Sequence, residues 1–565
     1  MQTLDEAANR WERAKPADSA LAAAIAAGCG SSSLLAELLA QRAGSLSEAR
    51  AWLRPLETPL CDPMAFAGMP AAVERIRQAI ARNEPITVFG DYDTDGVTAT
   101  ALLVHALAEA GAHAIKPFFP DREREGYGLT EAALRRCLEN YAPRPALLIT
   151  VDCGISSVAE VDLLRRQQVD VILTDHHTPP KRLPDALAIV NPLLGAPKGA
   201  TSLCGCAVAF ELVRALELEG LSVQSAHYAD LTAVASIADV MDLRGETRLL
   251  TARGLDLLCR GTGNGGLAAL AEAAQLADAS SPSERVAFSL VPCINAAGRL
   301  ASVHDAWRLI GLERREWAAK LVALNQTRRQ MEAQQLALAE TLPKDSPAGR
   351  PLVVGHETFH PGILGVIAAR LAERFAVPVA VVQTLPDGGG RGSVRAGALG
   401  HAVRALDTVA DLLSQYGGHA AAAGFTLRPG AYGDFCRRFP EGFGPAAGAP
   451  PLVYDADLDG EPITLSLCRE LAKLEPFGKG NPKPRFAKSF RVERLTLVGS
   501  EKTHVNLLLA QEGGESLKAV WFGAAERVRA WRPGSLIRAL VLPTIDRFRG
   551  ERPAVQLVDA FLERA

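Results

Sequence analysis

The stretch Ile86–Gly111, ITVFGDYDTDGVTATALLVHALAEAG, constrains the fold more than any other part of the chain. A short apolar run, Ile86 to Phe89, leads into three aspartates within five residues: Asp91, Asp93 and Asp95. Gly96 follows, and then apolar residues at helical spacing. Strand, acidic turn and helix make a βα unit, and in open α/β sheets ligands gather at the carboxyl ends of strands. Three carboxylates on one turn repel one another unless a cation neutralises them. The alternative is that one aspartate caps the helix and the others are solvated.

The pattern recurs. Ala146–Val151 (ALLITV) ends in Asp152-Cys153-Gly154, and Val169–Leu173 ends in Thr174-Asp175-His176-His177. Strands alternating with helices from Ala71 onward imply parallel pairing with crossover helices. Three strands then deliver carboxylate or imidazole groups to one end of a sheet. A helix over Asp230–Asp239 carries Asp239 to its end, with Asp242 in the following turn. Pro120–Thr130 (PDREREGYGLT) reads as a charged loop suited to closing over a pocket, and Val291–Ser302 as a helical region bearing Arg299. Asp93, Asp95, Asp152, His176 and Asp239 offer four carboxylates and an imidazole, with no thiolate, a set that suits Mn²⁺ or Mg²⁺ better than structural zinc. A carboxylate shared by two cations about 3.5–4 Å apart is the arrangement of two-metal phosphodiester hydrolysis. His177 is then placed to meet the scissile phosphate or the leaving oxygen.

At 565 residues the chain is expected to hold about three or four domains. Residues 1–48 read as a helical segment without chemistry of its own. Glu313–Leu342 lacks Gly and Pro and reads as a long helix, with a linker from Pro343 to Arg350. A second α/β unit begins at Pro351 and holds three small-residue runs: HPGILGVIAARLAERF (His360–Phe375), GGGRGSVRAG (Gly388–Gly397) and YGGHAAAAGF (Tyr416–Phe425). Glycine clusters beside an arginine suit anion binding by converging backbone N–H groups, or else form hairpin turns. After a Gly/Ala/Pro-rich linker near 441–451, short alternating runs predict a small β-barrel. Residues 451–565 carry 18 Lys and Arg against 15 Asp and Glu, although the whole chain has a net charge of -3. Phe477, Phe486, Trp521, Phe522 and Phe548 lie among those cations. That mixture suits single-stranded nucleic acid, although a core role is the ordinary one for any single aromatic. The polar start of the chain is unlike a secretory leader, no apolar run supports a membrane span, and the ten cysteines form no CxxC pair. The expectation is a cytoplasmic, monomeric protein with reduced thiols.

GDYDTDG, TVDCG, TDHH and SIAD, in that order, resemble the successive motifs of the DHH phosphoesterase superfamily. HPGILGVIAARL, GGGRGSVRA and GGHAAAAGF resemble its DHHA1 domain. LEPFGKGNPKPRF (Leu474–Phe486) is similar to the segment opening the OB-fold of the RecJ family of single-strand-specific 5′→3′ exonucleases. The resemblance implies an α/β protein in which a parallel-sheet DHH domain (49–310) is joined by a long helix and linker (311–350) to a smaller α/β DHHA1 domain (351–445), followed by an OB-fold barrel (452–565). The two α/β domains are expected to flank a cleft. It further implies two Mn²⁺ or Mg²⁺ ions on Asp93, Asp95, Asp152, His176 and Asp239, with Asp152 bridging. The roles of Asp91 and Asp175 stay open. Arg122, Arg299, Ser393 and Arg395 are expected to hold a 5′-terminal phosphate, and His360, Gly418 and His419 to line the DNA path. Single-stranded DNA, a single-strand-binding protein and a RecQ-type helicase are the implied partners, in DNA repair and recombination. Phe89 stands where related pyrophosphatases place a histidine ligand, which leaves one metal site weaker or completed by water. Asn506 and Asp546 stand where the resemblance leads to lysine and asparagine. Two other readings are compatible with parts of the pattern: a phosphodiesterase for short RNA or cyclic dinucleotides, and a non-catalytic single-strand-binding scaffold.

Overall fold

The computed structural model describes residues 11–121, 124–126, 128–140, 143–276, 278–342, 350–397, 400–443, 451–499 and 501–563. The chain forms two compact units. The first comprises residues up to Asn295, Val303–Ala319 and Leu452 onward; the second comprises Ala296–Ser302 and Lys320–Pro451. The chain passes from one to the other within the 25-residue helix Trp317–Thr341. No helix among the described residues is long and apolar enough to cross a membrane, and all ten cysteines are free thiols.

The first unit is built on a five-stranded, wholly parallel sheet. Its spatial order is Ile115–Phe118, Ile86–Gly90, Leu147–Val151, Asp170–Thr174, Ala188–Val190. Ile86–Gly90 and Leu147–Val151 are buried along their whole length, as expected of central strands covered on both faces. The first strand in sequence therefore lies between the second and the third. That reversal leaves a crevice at the carboxyl ends of Ile86–Gly90 and Leu147–Val151, where an open α/β sheet binds its ligand. The two edge strands have three and four residues, and one contains Pro117. Both are too short and irregular to read from sequence.

Small residues set the spacing around the crevice. A Cβ on Gly96 would lie 2.7 Å from Asp91 Cα, and one on Gly205 would lie 2.7 Å from Asp152 Cα. The helices Thr94–Glu109 and Gly205–Leu218 can approach the acidic strand ends only without those side chains.

The same unit contains a closed barrel. Phe486–Val498, His504–Ala510, Leu517–Trp521, Arg552–Leu562 and Leu536–Asp546 pair in that order, and Leu536–Asp546 pairs back onto Phe486–Val498. The N-terminal segment completes it. Ile25, Leu35, Leu38, Leu39 and Trp52 belong to the same core as Phe486, Phe490, Trp521 and Ile537. Trp11–Arg13 pairs in parallel with Leu452–Tyr454, and Trp11 Nε1 donates to Asp559 Oδ2 at 2.7 Å. This strand was not evident from the sequence.

In the second unit a five-stranded sheet runs Leu413–Gly418, Ala422–Leu427, Gly390–Arg395, Val379–Thr384, Leu352–His356. Only the last pair is parallel. The glycine-rich runs are thus paired strands. Backbone N–H groups of Gly390–Arg395 face neighbours on both sides, so they do not converge on an anion. A Cβ on Gly392 would meet the Phe425 ring at 2.5 Å, which accounts for glycine there.

One buried cation ties three distant segments of the first unit together. Arg248, on the helix Gly245–Arg260, is 1% exposed. It donates to Trp52 O at 3.2 Å and Glu475 O at 2.7 Å, and its guanidinium lies 4.0 Å from the Trp52 ring centroid. Arg248→Ala leaves these carbonyls without their donor in a buried setting, at about 1–3 kcal/mol each. The expected outcome is a loss of about 2–6 kcal/mol in the stability of this unit, read by urea unfolding.

Candidate metal centre

Every acidic group of the crevice is delivered by a strand end or by the helix terminus beside it. Asp91, Asp95, Asp152 and Asp175 are each at most 2% exposed. The structure brings together Asp93, Asp95, Asp152, His176, His177 and Asp239, and adds Asp91. Donor atoms of Asp91, Asp93 and Asp152 lie within 4.8 Å of one another, as do those of Asp95, His176 and Asp239, and those of Asp152, His176 and His177. His176 Nε2 is 3.1 Å from Asp152 Oδ1, 3.7 Å from Asp239 Oδ2 and 3.8 Å from Asp95 Oδ2. Two donor sets therefore stand side by side, joined through Asp152 and His176.

Each aspartate does a different local job. Asp93 is the N-cap of the helix Thr94–Glu109, its Oδ1 accepting from Gly96 N at 3.0 Å. Capping and membership of the cluster are both true of this residue. Asp95 accepts from the N–H groups of Gly205 and Cys206, each at 2.7 Å, at the start of the helix Gly205–Leu218. This fixes both its oxygens by backbone donors and by the positive end of a helix dipole. Asp152 holds a left-handed backbone conformation (φ 61), which aspartate tolerates better than most residues. Its Oδ1 is buried and, among the described residues, accepts no hydrogen bond of good geometry, although His176 Nε2 lies 3.1 Å away. Asn295 accepts from Thr94 N at 3.2 Å and Thr94 Oγ1 at 2.8 Å, locking the acidic turn to the helix Val291–Leu300.

Asp175 emerges as the organiser of the histidine turn. Its Oδ1 accepts from the backbone N–H groups of His176 (2.7 Å) and His177 (3.0 Å), and Nδ1 of His177 lies 2.7 Å away; Oδ2 accepts from Ile155 N at 2.9 Å. In sequence it is a lone acid beside two histidines, and nothing local reveals that its donors come from two strand ends. Asn191, fully buried, donates to His177 O at 2.9 Å and fixes the same turn. Phe89, by contrast, is a core residue stacked on Phe118 with ring centroids 5.1 Å apart.

The electrostatics are those of a cation site. Burial, then the charges of Asp95, Asp93, Asp91 and Asp175, push Asp152 well above the usual carboxylate range. Burial and Asp95 raise Asp93, and burial with Asp95 and Asp93 lifts Asp239 to about 7, although His177 and the ammonium of Lys479 pull the other way. The protein's own charges cannot neutralise this cluster, whereas divalent cations would. An oxygen-rich donor set with one or two imidazoles fits Mn²⁺ or Mg²⁺. For His177, burial opposes the charged ring, but the Asp175 carboxylate outweighs it and lifts the ring to about 9. The Asp175–His177 pair therefore adds stability that is complete below about pH 6.5 and is lost as pH rises through about 9.

Arg299, His360, Ser393 and Arg395 belong to the second unit. Arg395 Nη1 donates to Ser393 Oγ at 3.0 Å and Val394 O at 2.9 Å. Among the described residues no carboxylate pairs with Arg395, and burial lowers its pKa. Both side chains press on Gly365, in the first turn of the helix Leu364–Phe375, where a Cβ would lie 2.7 Å from Arg395 Nη2 and 3.2 Å from Ser393 Oγ. Arg299 donates to Gly362 O at 3.3 Å, and His360 Nδ1 accepts from Gly362 N at 3.1 Å, so both adjoin the same helix start. A guanidinium without an acid beside a helix N-terminus favours an anion. Gly418 (φ 145) and His419 lie in the exposed hairpin Leu413–Leu427, where His419 N donates to Ala422 O at 2.8 Å. Arg122 lies outside the described residues.

On the barrel, a groove of about 490 Å³ is lined by Arg494, Thr496, Asn506, Lys518 and Asp546 among others, and Lys518 pairs with Asp546 at 2.7 Å. Phe477, Phe486 and Trp521 are core residues, whereas Phe522 and Phe548 are 59% and 70% exposed.

Three domain families match the chain: the DHH family N-terminal domain over residues 85–236, the DHHA1 domain over 349–441, and the RecJ OB domain over 454–559. The single-stranded-DNA-specific exonuclease RecJ of Bacillus subtilis (strain 168) is 33% identical over 541 residues, covering 93% of this chain and 68% of that protein. Its counterpart in Dickeya dadantii (strain 3937) is 34% identical over 535 residues, covering 88% and 91%. The crystal structure of RecJ from Thermus thermophilus in complex with Mn²⁺ aligns with a TM-score of 0.82 at 31% identity over 98% of this chain and 80% of that one. The Mg²⁺ complex of the same protein aligns with a TM-score of 0.75 at 30% identity over 98% of this chain and 79% of that one. The parallel sheet, the smaller α/β domain and the barrel expected from the sequence are all present.

Two outcomes follow for the metal-free and metal-loaded protein. In Asp175→Asn the His177 ring loses its anionic partner, and its NMR titration midpoint falls from about 9 toward the ordinary 6.5. Gly205→Ala displaces Asp152 and weakens Mn²⁺ binding at least about tenfold, read by electron paramagnetic resonance.

Proposed function

This chain belongs to the RecJ family of single-stranded-DNA-specific exonucleases, and from that premise we propose that it degrades single-stranded DNA from the 5′ end, releasing 5′-mononucleotides by two-metal hydrolysis. The observation that carries the mechanism is the pair of donor sets joined by the 3.1 Å contact between Asp152 and His176. One set is Asp91, Asp93 and Asp152; the other is Asp95, His176 and Asp239. Asp152, which belongs to the first set and lies against His176 of the second, is the carboxylate that would be shared. When bound, Mn²⁺ or Mg²⁺ supplies hydroxide at neutral pH and offsets charge on the phosphoryl oxygens.

The protein's own groups do the rest. Asp95, anchored by two amide donors, keeps its set rigid, and Asp175 aims the histidine turn. His177, whose Nδ1 lies 2.7 Å from Asp175 Oδ1, would act as a donor to the scissile phosphate or the leaving oxygen. Arg395 and Ser393, with Arg299 adjoining the same helix start, hold the terminal 5′-phosphate, for which a planar guanidinium is suited to bidentate binding. His360, Gly418 and His419 serve the DNA path in the second unit. The barrel groove grips the strand further along, with Arg494 and Lys518 on phosphates and exposed Phe522 and Phe548 available for base stacking. Asp546 already occupies Lys518, which moderates this grip. A RecQ-type helicase to open duplexes and a single-strand-binding protein are the partners such a monomeric enzyme requires, and repair and recombination are the processes it serves.

The matched barrel favours long strands over dinucleotides, and the complete donor set argues against a scaffold without catalysis. The test is a digestion time course with Mn²⁺ or Mg²⁺ on a 3′-labelled single strand, its duplex and a dinucleotide. Shortening of the single strand from its 5′ end with the duplex spared is expected; cleavage of the dinucleotide alone overturns the reading. Asp152→Ala removes the shared ligand, and its cleavage rate is expected to fall by at least about a thousandfold, the scale on which central catalytic groups act. Filter binding to single-stranded DNA is expected to be largely unchanged.

A further inference from the structure

Asp239 differs from the other carboxylates of the cluster. It follows the last residue of the helix Ala229–Ala238, and the next residue, Val240, holds φ 52. A β-branched side chain in the left-handed region is an outlier that persists only where the surroundings enforce it. Val240 is 60% exposed, so its own side chain does not enforce it. The helix end itself holds that conformation, with Val240 N donating to Ile237 O at 3.2 Å and Met241 N to Ser236 O at 3.0 Å, and the chain then runs directly into Asp242, Leu243 and Arg244. What holds them is the loop Gly478–Asn481, far along the chain and just before the barrel's first long strand.

Leu243 N donates to Lys479 O at 2.8 Å, and Arg244 Nε donates to Gly480 O at 3.0 Å. A Cβ on Gly478 would lie 2.7 Å from Leu243 Cδ1, and one on Gly480 would lie 2.6 Å from Asp242 Cγ. The loop is itself rigid. Gly478 and Asn481 exchange both backbone hydrogen bonds. The fully buried Asn481 amide donates to Leu474 O at 2.7 Å and Pro476 O at 2.8 Å, and accepts from Arg42 Nε at 3.1 Å. Gly480 has φ 79, a conformation that favours glycine.

We propose that the loop Gly478–Asn481 is the positioning element for the metal-binding carboxylate of Asp239, so that the barrel segment is part of the catalytic centre as well as a grip for the strand. The inference rests on Asp239 being a metal ligand, as in the preceding reading. It has a consequence that strand binding alone lacks: disturbing this loop impairs hydrolysis of a dinucleotide, a substrate too short to engage the barrel groove. Supporting residues outside a metal's ligand set commonly change affinity by roughly 10–100-fold.

The test uses the full chain. Gly480→Ala presses on Asp242, and Gly478→Ala presses only on the far end of the Leu243 side chain, so the second keeps the test open if the first disrupts folding. Mn²⁺ binding is titrated by electron paramagnetic resonance, single-strand binding is measured in chelator, and dinucleotide hydrolysis is followed against Mn²⁺ concentration. The expected result is a melting curve that stays cooperative and an unchanged strand affinity, with Mn²⁺ affinity at one site reduced roughly 10–100-fold and hydrolysis recovered by excess Mn²⁺. Folded variants that bind Mn²⁺ as tightly as the parent overturn the proposal. The Mn²⁺ titration decides even if the parent proves to act on a different substrate.

Discussion

Like charges crowded at the end of a parallel sheet, four of them buried, govern the rest of this structure. Asp91, Asp93, Asp95, Asp152, Asp175 and Asp239 crowd one crevice, and bringing carboxylates out of water beside one another is costly unless each has donors or a cation. The surrounding architecture can be read as the supply of those donors. The start of one helix serves Asp95, the cap of another engages Asp93, two strand ends feed Asp175, and Asn295 braces the turn from a fourth direction. What remains uncompensated is concentrated on Asp152 and its neighbours. The fold thus satisfies the periphery of the cluster and leaves its centre for metal.

Much of this was legible because the strands are short, apolar and central, and because each one ends in acid or imidazole. Strand Ile86–Gly90 and helix Thr94–Glu109 follow directly from residue spacing. Local pattern carries no information about partners far away in sequence, and the remainder failed to show for that reason. Asp175 looks like any acid of its turn until Ile155 and His177 are brought to it. The Cys204–Cys206 stretch looks like a small-residue break until its amides meet Asp95. The glycine-rich runs of the second unit resemble loops because glycine is rare in strands, yet Phe425 lies over Gly392 and leaves room for nothing larger. The barrel aromatics were indistinguishable by composition; only the alternation of faces separates buried Trp521 from exposed Phe522.

The second unit shows a different economy. Arg395 is a largely buried guanidinium whose partners are one hydroxyl and one carbonyl, next to the first turn of a helix. An arginine with that environment is held ready for an anion supplied from outside the protein. Each unit thus carries a local charge imbalance of its own: negative in the first, which cations would answer, and positive around Arg395 in the second, which an anion would answer.

The pairing of Trp11–Arg13 with Leu452–Tyr454, and of Trp11 with Asp559, bears on how the polypeptide is made. Trp11 meets its side-chain partner 548 residues further along the chain. The parallel sheet between them can form while synthesis continues, since its strands all lie between Ile86 and Val190. The apolar faces of the N-terminal helices, however, wait for the barrel, and long-range closures of this kind are slow and expose sticky surface meanwhile. The helices between Ser19 and Leu53 therefore stay without their core until the barrel strands are made, and a ribosome stalled before those strands leaves them unsheltered.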